Sequence, residues 1–190
     1  MPRHPSLSPG AGSIFKSVFA RVAERLRAVP GEVFPLHIGD TYLDPIDDAL
    51  FAEATAPSER IKLARYAHPH GTPSLCAKLR EGAEAQGLAG DEVVVTAGAT
   101  HALYVAAASV LAPGDEVLVC APYWPLFPGV LRTAGAVPVE VPFFDLLASE
   151  RGTPIAELLL PYLTERTAAV YFNSPNNPTG VLLRSSELAE

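Results

Sequence analysis

The sequence predicts an α/β fold of three layers, with helices over both faces of a mainly parallel sheet. Two observations carry that prediction. From Pro73 onward, short apolar runs alternate with stretches whose apolar residues recur at helical spacing. The runs also read as near-continuous apolar segments, which suits strands covered on both faces.

Residues Met1 to Gly12 are rich in Pro, Ser and Gly and read as an arm. Ser13 is placed to cap a helix carrying Ile14, Val18, Val22, Leu26 and Val29 on one face, ended by Pro30 and Gly31. Val33 to Ile38 reads as a short extended piece, followed by a punctuated region through Pro45 and Pro57. The alternation then begins: a helix from Pro73 to Gln86, a strand at Glu92 to Thr96, and a helix from Thr100 to Leu111. Pro113, Gly114 and Asp115 turn the chain into a strand at Glu116 to Cys120, before a short helix over Leu126 to Ala134 and a strand at Val137 to Val141. Pro142 to Thr153 reads as a loop, and Ile155 to Leu163 as a helix that Pro161 shortens. Ala168 to Phe172 is the last strand, and Ser185 to Glu190 open a further helix.

With 190 residues, 48% of them hydrophobic and 18% charged, the chain suffices for a core. A net charge of −7 opposes long-range attraction to nucleic-acid phosphates or anionic lipid, so neither is expected as a partner. Two cysteines, Cys76 and Cys120, are expected as reduced thiols in a cytoplasmic protein. No stretch has the roughly eighteen uninterrupted apolar residues of a membrane span, the run Leu103 to Leu111 being broken by Pro113 and Gly114, and no secretory signal is expected.

Three loops that follow expected strands hold the chemistry. The first is Ala97-Gly98-Ala99-Thr100-His101, where the backbone N–H groups and dipole of an incipient helix converge. It is either an anion cradle or a tight turn with Thr100 as its cap. The second is Ala121-Pro122-Tyr123-Trp124-Pro125, whose single tryptophan either stacks on a planar ligand or seals the next helix. The third runs from Asn173 to Gly180 through Ser174, Pro175, Asn176, Asn177, Pro178 and Thr179. It offers carboxamides at the sheet's carboxyl edge, although asparagines in turns commonly bond their own backbone. A phosphate nest, a flat ring and a carboxamide together suit a phosphorylated aromatic cofactor. No metal is expected, since His68-Pro69-His70 has no second ligand pair, and His101 reads as a surface or packing residue.

On these residues the chain resembles the class I and II aminotransferases, pyridoxal-phosphate enzymes of the aspartate aminotransferase fold. Asn173 to Gly180 carries the most specific likeness, and the order of all three loops matches, from about Leu36 onward. The resemblance implies an N-terminal arm with part of a small domain over 1–45, and the first part of a large cofactor-binding domain over 46–190. It implies that Ala99 and Thr100 hold the cofactor phosphate, that Trp124 stacks on the pyridine ring, and that Asn177 donates to the ring's phenolic oxygen. Gly39 is similar to the glycine whose backbone meets the substrate carboxylate, with Thr41 where relatives have proline. Tyr66 is similar to the tyrosine that reaches the phosphate of a neighbouring subunit, which implies a homodimer. Amino acids and 2-oxo acids are the implied substrates.

The family's reaction needs a lysine that forms a Schiff base with the cofactor, and none of Lys16, Lys62 and Lys78 occupies the matching position. The expectation is an aminotransferase truncated before that lysine, inactive as this chain alone. A C–S β-lyase or related lyase on the same fold, an inactive paralogue and a cofactor-sensing regulator are the other readings.

Overall fold

The computed structural model describes residues 18–34, 39, 43–44, 56–58, 60, 65–88 and 92–188. The expected arm, the Ser13 cap and residues 35–38 of the extended piece lie outside that set. By contact the chain divides into two units, one holding the described part of Met1–Gly31 with Gly98–Glu190, the other Glu32–Ala97.

In the first unit, α1 is Val18–Leu26. The second unit contributes α2, Pro73–Glu84, with proline in its first turn, where a missing N–H costs nothing. The first unit then continues with α3 (Ala99–Val110), β1 (Glu116–Cys120), α4 (Phe127–Thr133) and β2 (Val137–Val141). After these come α5 (Phe143–Ser149), α6 (Ile155–Leu159), a 3-10 turn at Leu160–Tyr162, β3 (Thr167–Tyr171) and α7 (Ser185–Leu188).

The three strands form one parallel sheet in the order β2-β1-β3. Glu116 lies opposite Val137 and Cys120 opposite Val141, while the pairing with β3 slips between Glu116 and Val117. The chain leaves β1 for β2 on one side, then crosses back over β1 to reach β3. The crossovers run in opposite directions along the sheet, and their helices pack on opposite faces, α4 with Val117 and Val119 and α5 and α6 with Leu118 and Cys120, which makes three layers.

The core divides accordingly. Val117 and Val119 face Ala107 of α3 and Phe127 and Leu131 of α4. Leu118 and Cys120 face Phe143, Phe144, Ile155, Leu158 and Leu159 from α5 and α6. Every residue of β1 is buried, as a central parallel strand requires. Each Leu or Phe so enclosed contributes about 1.5–3 kcal/mol.

Two expectations are corrected. Pro142 to Thr153 is not all loop, because Phe143–Ser149 is α5. Its cause is burial: Phe143 is wholly enclosed and meets Phe144 and Phe172 edge to face at 5.1 and 5.4 Å. Glu92 to Thr96, expected as a strand, forms no ladder among the described residues. Strand structure needs a neighbour for its N–H and C=O groups. Within this segment Val95 N–H donates to His70 O at 2.8 Å, and Val94 is exposed. Gly71 permits that approach, since a Cβ there would collide with the Val95 side chain. The 155–163 helix ends early, with Pro161 opening the 3-10 turn.

Candidate functional site

In an open parallel sheet, ligands sit beyond the carboxyl ends of the strands where the strand order reverses. Here the reversal lies between β1 and β3, and the loops that leave those strands are Ala121–Leu126 and Phe172–Gly180. The start of α3 supplies the third wall. Ala99, Thr100, Trp124 and Asn177 border one cavity of about 580 Å³.

Gly98 caps α3 with φ +81° and ψ 170°, a backbone state open essentially only to glycine. Nothing lies within 4 Å of where its Cβ would stand, so conformation and not space demands glycine. No side chain caps the helix, so the Thr100 hydroxyl is not the cap. The first intrahelical bond is Ala102 N–H to Gly98 O, at 3.2 Å. The amides of Ala99 and Thr100 precede it and have no acceptor within the helix. His101 is exposed.

Trp124 is half-buried, resting on the cluster built from Val117, Val119, Phe127 and Leu131 while its ring also borders the cavity. Beneath the same wall, Phe127 and Tyr171 stack with centroids 3.6 Å apart. Tyr123 O–H donates to Glu140 Oε2 at 2.6 Å, which ties the loop to β2. Burial first, then that carboxylate, pushes the Tyr123 hydroxyl from 10.0 up to about 12. Burial alone pushes the Cys120 thiol from 9.0 up to about 12, and both cysteines are free.

The Asn173–Gly180 turn uses its amides unequally. Asn173 Oδ1 accepts from Asn177 N–H at 2.9 Å. Asn176, buried, donates from Nδ2 to Pro122 O at 3.0 Å and to Thr179 Oγ1 at 2.8 Å. Asn177's carboxamide borders the cavity and has no protein partner among the described residues. Two of the three asparagines therefore hold the turn, and the third borders the cavity. Asn173, the first residue of the turn, also lines the cavity, as do Tyr171 and Phe172, which were not singled out as site residues from sequence. Their adjacency to the turn was the available signal.

Gly39 and Tyr66 belong to the second unit, where both are exposed. Lys78, on α2, pairs with Glu81 at 2.7 Å in full view of solvent. Among the described residues no group of three or more His, Cys, Asp or Glu is placed to hold a metal, and no helix is long and apolar enough to cross a membrane.

The sequence model of aminotransferase class I and II matches residues 31–190. The chain belongs to that family. The aspartate/prephenate aminotransferase of Thermus thermophilus is 40% identical over 121 residues, covering 62% of this chain and 31% of that protein. The aspartate aminotransferase of Geobacillus stearothermophilus is 34% identical over 189 residues, covering 98% of this chain and 46% of that protein. Among solved structures, the aspartate aminotransferase of Rhizobium meliloti superposes with a TM-score of 0.81 at 28% identity, covering 98% of this chain and 47% of that one. The aminotransferase fold is thereby shared, and the chain spans less than half the length of these relatives.

Proposed function

We propose that the protein this chain encodes is a pyridoxal-phosphate-dependent aminotransferase that moves an amino group between an amino acid and a 2-oxo acid. The observation that carries the proposal is the single cavity at the strand-order reversal, bordered by Ala99, Thr100, Trp124 and Asn177. Those groups fit the cofactor chemically. Unpaired amides at a helix start suit a phosphate dianion, an indole suits a pyridine ring, and an unpartnered carboxamide suits a phenolate oxygen.

When bound, pyridoxal phosphate supplies an electron sink for the pair released at the substrate's Cα. The chain's own part is to bind and orient. The Ala99 and Thr100 amides, with the α3 dipole behind them, would hold the phosphate by backbone hydrogen bonds. Trp124 would fix the plane of the ring and keep water from one face. Asn177 would donate to the ring oxygen, its backbone already held by Asn173. The Gly39 backbone would meet the substrate carboxylate, and the exposed Tyr66 would complete the phosphate site of a second subunit in a cytoplasmic homodimer.

The test is an assay of the full-length protein with pyridoxal phosphate, a panel of amino acids and 2-oxoglutarate, following the new amino acid formed. Transfer from at least one donor is expected. Release of pyruvate and ammonia without transfer would replace this reading with a lyase.

A further inference from the structure

Asn176 and Asn177 are adjacent, chemically identical and oppositely employed. Asn177 faces the cavity, whereas Asn176 is 3% exposed and directs both hydrogens of its amide into protein. We propose that Asn176 is the positioning residue of the site, a clamp that sets where Trp124 stands relative to Asn177.

The clamp joins two loops that come from different strands. Pro122 O, which accepts the Asn176 amide at 3.0 Å, lies two residues before Trp124 in the loop after β1. The turn after β3 is closed around the same residue, since Asn176 N–H donates to Val181 O at 2.8 Å and Asn176 O accepts from Gly180 N–H at 2.7 Å. Thr179 Oγ1 takes the second amide hydrogen at 2.8 Å. Displacing Asn176 therefore displaces Asn177 beside it and releases the Trp124 loop together.

The chemistry requires a neutral amide at this position. A peptide oxygen such as Pro122 O only accepts, so it obliges the NH₂ end to face it and fixes the orientation of the carboxamide. Oδ1 is buried with no donor among the described residues. The side chain is held by its donors alone, in a place where an unmet polar atom is a burden. A carboxylate of the same shape would turn an oxygen toward Pro122 O and lose both amide donors, keeping at most a reversed bond from the Thr179 hydroxyl. A leucine would keep the volume and lose them without adding charge.

The inference rests on the cofactor reading for its purpose but not for its measurement. The full-length protein is labelled with 5-fluorotryptophan, and the Trp124 resonance is assigned by its loss in Trp124→Phe. Cofactor-free Asn176→Asp and Asn176→Leu are then compared with Asn177→Ala by fluorine NMR, with circular dichroism and melting confirming that each is folded. In either Asn176 variant that folds, the Trp124 resonance is expected to shift or split, while Asn177→Ala leaves it in place. Pyridoxal phosphate affinity is expected to fall on the order of tenfold in the Asn176 variants, as it does when a group that positions others is lost. A native Trp124 resonance in a folded Asn176 variant would overturn the proposal. If the unaltered protein binds no pyridoxal phosphate, the cofactor reading fails, and the resonance still decides whether Asn176 holds the loop.

Discussion

At the scale of single residues, Tyr123 and Gly98 make separable claims. The Tyr123 hydroxyl is held near 12 by burial and by Glu140, against 10.0 when free. A raised value means that folding favours the protonated form. The associated stabilisation is complete below pH 10 and is lost as pH rises through about 12. Denaturant melts between pH 9 and 12 should show the decline together with that of Cys120, whose thiol is likewise pushed up to about 12, and Tyr123→Phe should make it shallower without removing it. Gly98→Ala meets no steric obstacle but forces alanine into a φ of +81°. It is expected to cost about 1–3 kcal/mol, read from the denaturation midpoint. The residue scale is also where sequence said least about the site. Apart from the family resemblance that singled out Asn177, the residues Asn173, Asn176 and Asn177 look alike in a string of letters, and the turn's closure is what leaves the Asn177 carboxamide on the cavity.

At the scale of elements, Glu116 links two strands at their amino ends. It is buried at the start of β1, accepts from Thr164 Oγ1 at 2.6 Å, and pairs with Arg166 in the turn that leads into β3. The Thr164 hydroxyl first, and the Arg166 guanidinium after it, outweigh burial and hold the carboxyl below its usual 4.5. A lowered value contributes stability that is present above pH 4.5 and is lost as pH falls through the folded value. Stability measured from pH 6 down to 3 should fall on that limb, with a shallower fall in Glu116→Gln. Element legibility followed burial on both sides of the same logic. Glu116–Cys120 and Val137–Val141 were readable because punctuated runs bounded by Pro and Gly leave few alternatives. Phe143–Ser149 was hidden because Pro142 and Gly152 signal turns, while the helix is imposed by Phe143 packing on Phe172, far along the chain. Glu92–Thr96 failed as a strand for the complementary reason, since apolar sequence proposes a strand but only a neighbour makes one.

At the scale of the whole molecule, the sheet's order does most of the functional work. Reversal between β1 and β3 opens a crevice at their carboxyl ends, and the start of α3 closes it. The three loops were legible from sequence because turn chemistry is local: glycine before a helix, prolines beside an indole, amides in a turn. That they border one cavity was not local, and required the crossovers to place helices on opposite faces. The most direct measurement is a titration of the full-length protein with pyridoxal phosphate, followed by visible absorbance, alongside Thr100→Val with Ala99→Pro, Trp124→Ala and Asn177→Ala. Each of the three variants, the first doubly altered, should weaken binding by about tenfold or more while leaving the melting transition cooperative. Undiminished affinity in folded variants of all three loops would contradict the account.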